Sequence, residues 1–221
     1  MKQCISILII DDHPMTITGY EVCLRDLEDR FDLQINSASN CDMVNKELDL
    51  NKDDFYDVVL LDIFLPPSND GKLISGEDIG LKIRSKYPET KLIVHTYLID
   101  KQRTYSIFKT LDPEGFLEKN CIIPKVLVEA VQNVIDGRRY YTKNISNRLQ
   151  GMDQDELFID WLDRKILYYL SIGEKMKNLP EHIPLSMASI ERRKRKIKLL
   201  LGVSDGNNRD LLERGKELGF I

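Results

Sequence analysis

The chain has no apolar stretch near the roughly 18 residues a membrane-spanning helix needs, so no membrane span is expected. Met1-Lys2-Gln3-Cys4-Ile5 leads directly into an apolar run, so no secretory leader is expected. Cysteine is scarce, with four in 221 residues. Cys4, Cys23, Cys41 and Cys121 lack the paired spacing of a metal site. Reduced thiols in a cytoplasmic protein are the expectation. No internal repeat or low-complexity tract is present, which argues against a solenoid. Residues 151–221 contain no nucleophile–base or metal constellation, so no enzymatic output is expected there.

What is present is a set of short apolar runs that stop at chemistry-bearing residues. A chain of 221 residues accommodates two modest domains. Ile7 to Ile10 reads as a fully buried strand and ends at Asp11-Asp12-His13-Pro14. Val58 to Leu61 ends at Asp62. Lys91-Leu92-Ile93-Val94-His95 ends at Thr96, and Gly115-Phe116-Leu117-Glu118 ends at Lys119. In an open parallel sheet the carboxyl ends of the strands share one edge, where ligands bind. An acid pair, an acid, a hydroxyl and an amine can therefore converge. Adjacent carboxylates suit a hard cation such as Mg²⁺. The plainer alternatives are an Asp pair that opens a loop and caps a helix, a threonine that merely ends a strand, and a lysine that pairs with Asp11 for stability.

The order and spacing of these residues resemble the receiver domain of two-component response regulators. Ile10-Asp11-Asp12-His13-Pro14 is particularly similar to the NarL/FixJ subfamily. The resemblance covers about the first 140 residues. It implies an α/β fold, a doubly wound five-stranded parallel sheet, with Asp62 as phosphoacceptor. It also implies Mg²⁺ held by Asp11, Asp12, Asp62 and the backbone carbonyl of Phe64. Lys119 and Thr96 would bind phosphoryl oxygens, and Phe116 would be the switch aromatic. A partner histidine kinase would phosphorylate Asp62. Phosphoryl transfer depends mainly on positioning and electrostatics, which fits a site made of charges rather than of a general base. Three positions depart from the family pattern. Pro67-Ser68-Asn69-Asp70-Gly71-Lys72-Leu73-Ile74-Ser75 lengthens the loop before Gly76. It is either surface decoration or a contact for kinase, phosphatase or dimer partner. Tyr97 stands where a small residue is usual and could narrow access to Asp62. Phe116 has no hydroxyl.

An amphipathic helix from about Pro124 to Asp136 closes the receiver, with Leu127, Val128, Val131, Val134 and Ile135 at helical spacing. Pro124 suits its first turn and Gly137 its stop. The domain reading is a receiver at 1–142, a linker at 143–156 holding a short helix at Ile145–Leu149, and an all-α domain at 157–221.

The acidic excess lies in the first 150 residues, while the remainder is near neutral and concentrates its positive charge in one segment. Six of the seven residues from Arg192 to Lys198 are basic. Ser186 suits an N-cap, Ile190, Ile197 and Leu201 form one apolar stripe, and Gly202 ends the helix. A solvated cationic helix is the bland alternative. The frame from Ser189-Ile190 to Leu201-Gly202-Val203 resembles a LuxR-type helix-turn-helix domain, with Asp163 where the family carries glutamate. That resemblance implies double-stranded DNA as partner, with Glu191, Arg192 and Arg195 facing base edges. Arg193, Lys194, Lys196 and Lys198 would serve phosphates or the local field, and Ser189 would also belong to the DNA-binding set. A homodimer on two half-sites is implied, with a last helix at about Asn208 to Leu218. Pro180 falls inside the expected scaffold helix, which therefore starts there or is kinked. The resulting expectation is a cytoplasmic, phosphorylation-dependent transcription regulator. Its alternatives are a receiver-based interaction module with a degenerate output domain and a receiver locked by its long loop.

Overall fold

The computed structural model describes residues 2–50, 55–97, 100–152 and 157–221. These form two compact units, Met1–Leu98 with Leu111–Asn147 and Ile99–Thr110 with Arg148–Ile221.

In the first unit the strands are β1 (Gln3–Ile10), β2 (Phe31–Ala38), β3 (Val58–Asp62), β4 (Lys91–Thr96), β5 (Gly115–Glu118) and β6 (Tyr140–Tyr141). They form one parallel sheet in the order β2-β1-β3-β4-β5-β6. The expectation of five strands is corrected to six. Tyr140 and Tyr141 follow the stop at Gly137, extend the chain beside β5, and pair with Gly115 and Phe116. Two residues offer too little apolar pattern to announce a strand in sequence.

The helices are α1 (Pro14–Leu24), α2 (Cys41–Asp49), α3 (Gly76–Lys86), α4 (Lys101–Leu111), α5 (Pro124–Ile135), α6 (Lys143–Leu149), α7 (Trp161–Ser171), α8 (Leu179–His182), α9 (Met187–Leu200) and α10 (Asn208–Glu217). Strand residues alternate between faces, and β1, β3, β4 and β5 are buried on both, which explains their unbroken apolar runs. Ile7, Ile9, Leu60, Ile93 and Leu117 meet Tyr20 and Leu24 of α1 and Leu127, Val131 and Val134 of α5. On the other face α3 approaches so closely that a Cβ on Gly80 would touch the Leu61 side chain. The same alternation carries Asp11, Asp62, His95 and Lys119 onto the α1/α5 side, one step beyond Ile9, Leu60, Ile93 and Leu117.

The long loop between β3 and α3 is an ordered turn. Ser68 N donates to Leu73 O at 2.8 Å and Leu73 N to Ser68 Oγ at 3.0 Å. Asn69 is tied to Asp42 of α2 through its backbone and its amide, the latter at 2.8 Å. Leu73 and Ile74 are buried, so the insertion contributes to the core as well as to the surface.

The second unit has its own core of Ile159, Ile166, Leu167, Leu179, Ile183, Ile190, Ile197, Leu211 and Phe220. It differs from a linear division of the chain by one helix, α4. Gln102 Nε2 donates to Leu200 O at 2.9 Å, Arg103 Nε to Gly219 O at 2.9 Å, and the Arg103 guanidinium lies over the Phe220 ring. Arg103, wholly buried on α4, finds its partner there, as a buried charged group requires. The proline in the scaffold position shortens that helix to one turn. A 3-10 turn at Met176–Asn178 leads into α8, with Pro180 in its first turn, where its missing N–H costs nothing. Residues 153–156 of the expected linker lie outside the described residues.

Candidate phosphoacceptor site and basic helix

Four strand ends build the first site. Asp62 ends β3, is 1% exposed, and lies in register with His95 of β4. Asp11 follows β1 and is fully buried. Lys119, just past β5, places Nζ 2.6 Å from Asp62 Oδ2 and 2.7 Å from Asp11 Oδ2. Burial opposes the ammonium, but its hydrogen bonds to Asp11 and Asp62 outweigh that cost and raise the Lys119 pKa. The pairing expected between Lys119 and Asp11 is present, and the same ammonium reaches Asp62 as well.

Ligand atoms of Asp11, Asp12, His13 and Asp62 all lie within 4.8 Å of one another. Asp12 Oδ1 is shielded from solvent and accepts no well-formed hydrogen bond, although His13 Nδ1 is 2.7 Å away. Oxygen-rich donors of this kind fit a hard divalent cation. Phe64 N donates to Asp62 Oδ1 at 3.0 Å, which fixes the Asp62 carboxylate and brings the Phe64 backbone to the same spot. Gly76 makes this possible: its N–H bonds Ile63 O at 3.1 Å, and a Cβ there would fall 1.8 Å from Asp62 O.

Thr96 is fully buried at the end of β4, and its Oγ1 has no hydrogen-bond partner. Phe116 is fully buried on β5, opposite Val94. Tyr97 is half exposed, and Lys119 Nζ sits 5.1 Å from its ring centroid. The ring therefore roofs the lysine. A groove of about 370 Å³ beside it is lined by Met15, Gly19, Tyr20, Tyr97, Lys119 and Ile123, among others.

Sequence reasoning gave no role to His13 or His95. His13 carried a signal, since it directly follows the acid pair. His95 was an imidazole inside an otherwise aliphatic strand, a polar group that needs a reason once buried.

The second site is α9. Ser186 caps it by accepting from Ser189 N, and Gly202 stops it with φ of +71°. Ile190 and Ile197 point into the core. Glu191, Arg192 and Arg195 are exposed, as expected of residues facing a ligand. Ser189 is half-buried beside the cap. Three of the basic residues expected to serve phosphates or the field are engaged within the unit. Arg193 Nη1 bonds Asp160 at 2.7 Å and Asp163 at 2.8 Å, and Lys196 Nζ bonds Asp163 at 2.7 Å. Lys198 Nζ bonds Gly206 O. The half-buried Lys194 has its pKa lowered, first by burial and then by Lys198.

No protein-family model matches the chain. The oxygen regulatory protein NreC of Staphylococcus epidermidis is 25% identical over 201 residues, 85% of this chain and 87% of that one. NreC of Staphylococcus aureus is 23% identical over 209 residues, 89% and 91% of the two chains. Among solved structures, RcsB of Salmonella enterica serovar Typhimurium, bound to the promoter rprA in the presence of phosphomimetic BeF₃⁻, matches with a TM-score of 0.68. It is 19% identical, over 96% of this chain and 98% of that one. The chain is thus similar to response regulators of this kind over most of its length. The isolated RcsB receiver domain also matches 67% of this chain, with a TM-score of 0.56 over all of that chain. Among the described residues no helix is long and apolar enough to cross a membrane.

Proposed function

We propose that this protein is a cytoplasmic, phosphorylation-dependent transcription regulator whose phosphoacceptor is Asp62. A partner histidine kinase supplies the phosphoryl group. An Asp62 carboxylate oxygen forms the new P–O bond while the P–N bond to the kinase imidazole breaks, and the electron pair leaves with that nitrogen. The carrying observation is the buried Asp62 with Lys119 Nζ at 2.6 Å and the acid pair beside it.

Asp11, Asp12, Asp62 and the Phe64 carbonyl would hold Mg²⁺. When bound, the ion supplies charge neutralisation for an anion attacking an anion. Lys119 supports the transfer as a point charge on a phosphoryl oxygen, and Thr96 Oγ1 donates to another. Tyr97 shields that lysine from water. The receiver spans 1–142 and the DNA-binding domain 157–221, with Phe116 as the aromatic that follows Thr96. Phosphorylation shifts the population toward a homodimer that engages double-stranded DNA. On α9, Glu191, Arg192 and Arg195 face base edges, since they are its charged residues left exposed. Lys194 and Ser189 flank them.

Intact mass after incubation with Mg²⁺ and a small phosphodonor tests the acceptor. One phosphoryl adduct on the wild type and none on Asp62→Asn is the expected result. No adduct on a folded wild type sinks the reading and leaves a phosphorylation-independent regulator.

A further inference from the structure

His95 is the one imidazole in the buried sheet, fully enclosed on the α1/α5 face. Its neighbours on that face, Ile9, Leu60, Ile93 and Leu117, are aliphatic. A leucine would fill the place without the cost of burying a polar ring. The ring is held edge-on by Tyr20, with centroids 5.3 Å apart and planes at 69°. Its Nδ1 points at Asp11, 3.6 Å from Oδ2, just beyond hydrogen-bond reach. That Oδ2 is the oxygen to which Lys119 donates at 2.7 Å. In every protonation state the ring carries at least one N–H, and an N–H on Nδ1 is the one that can serve Asp11.

We propose that His95 is a positioning residue for Asp11, donating to Asp11 Oδ2 once Lys119 leaves that oxygen for the phosphoryl group on Asp62. The inference rests on Asp62 being the acceptor. Before phosphorylation Lys119 satisfies both carboxylates and His95 stands in reserve. Afterwards Lys119 is drawn to the phosphoryl oxygens, and Asp11 Oδ2, fully buried, loses its donor. An unsatisfied buried carboxylate oxygen is costly. His95 is also the residue directly before Thr96, so movement of Thr96 Oγ1 toward the phosphoryl group moves the backbone that carries the ring. The donor arrives when it is needed, and Asp11 keeps its orientation in the phosphorylated state.

The test is calorimetric titration of the full chain with Mg²⁺ alone, then with BeF₃⁻ at saturating Mg²⁺, for wild type, His95→Leu and His95→Gln. In His95→Leu, BeF₃⁻ affinity falls roughly tenfold, the scale of one hydrogen bond to a charged group, while Mg²⁺ affinity stays within about twofold because Lys119 still serves Asp11. His95→Gln, which keeps an N–H donor, recovers most of the loss. The thermal midpoint of His95→Leu does not fall, so lost packing does not account for the effect. Equal BeF₃⁻ affinity in wild type and His95→Leu overturns the proposal, as does equal loss in the Leu and Gln variants. Should His95→Leu fail to fold, ¹⁵N-edited spectra of the wild type decide. A downfield shift of the His95 Nδ1 proton on adding BeF₃⁻ supports the hydrogen bond, and an unchanged resonance overturns it. A wild type that binds Mg²⁺ but no BeF₃⁻ overturns the acceptor assignment itself.

Discussion

Lys119 Nζ lies 2.6 Å from Asp62 Oδ2. The same ammonium holds Asp11 at 2.7 Å, so it already supplies positive charge to two carboxylates of the proposed cation site. Lysine and metal therefore compete. In Lys119→Ala, Mg²⁺ binding tightens several-fold, because one repelling charge is gone. Without Mg²⁺ the variant loses about 3 kcal/mol, the scale for stripping one partner from a buried ion pair. Millimolar Mg²⁺ returns part of that loss by binding the folded state. Calorimetry and urea unfolding with and without chelator check both arms. A weaker Mg²⁺ affinity in the variant would show that the ammonium helps to build the cation site.

Gly76 is a second point of leverage, through space rather than charge. A methyl group on it would sit 1.8 Å from the carbonyl oxygen of Asp62, so either α3 or the end of β3 must move. Gly76→Ala is expected to cost about 1–3 kcal/mol as an overpacked contact. It is also expected to slow phosphorylation, because the backbone that moves carries Asp62, the proposed acceptor. Unfolding curves and adduct formation in one phosphodonor assay measure the two effects. Unchanged phosphorylation in a destabilised variant would place the whole adjustment in α3.

Much of this was legible in the sequence, for a physical reason. A strand buried on both faces reads as an unbroken apolar run, so β1, β3 and β4 announced themselves and their last residues marked one sheet edge. Ser186 and Gly202 bounded α9 because a cap and a left-handed stop are local chemistry. What stayed hidden depends on distant partners. Nothing local distinguishes Arg193, which turns back to Asp160 and Asp163, from Arg192, which stays exposed. The role of Lys119 as a bridge, the anchoring of Asn69 on Asp42, and the bonds from α4 to Leu200 and Gly219 likewise join residues far apart in the chain.

The ordered insertion carries a pH signature. The Asp70 carboxylate accepts from Ser68 Oγ at 2.7 Å and from Lys72 N at 3.1 Å, and the first of these holds its pKa down to about 2. A carboxylate whose folded pKa is depressed adds stability above its unfolded pKa of about 4 and loses it as pH falls through about 2. Amide exchange of Gly71 and Leu73, corrected for intrinsic rates, is expected to be constant from neutrality to about pH 4 and to lose protection below it. In Asp70→Asn that dependence disappears. A wild-type loop whose protection is flat down to pH 2 would contradict the assignment.

The basic helix offers a test that separates charges by direction rather than by number. Asp163 is fully buried, closes the capping box of α7 with Asp160, and accepts from Arg193 and Lys196. Asp163→Asn should cost the second unit about 3–5 kcal/mol, since two cations lose a buried partner. Arg192 and Arg195 have no such task and are exposed. Duplex DNA of any sequence is enough to tell the two groups apart, because the phosphate contribution is sequence-independent and salt-sensitive. Arg192→Ala and Arg195→Ala should each weaken binding and flatten the dependence of log K on log salt by about 1, with stability unchanged. Arg193→Ala should lower stability and leave the slope near that of the wild type, because its charge is spent on Asp160 and Asp163. Anisotropy titrations at several salt concentrations read the slopes, and thermal melts read the stability. If Arg193→Ala reduced the slope as much as Arg192→Ala, the ion pairs would have to open on DNA, and the unit would bind in a different arrangement from the one it holds alone.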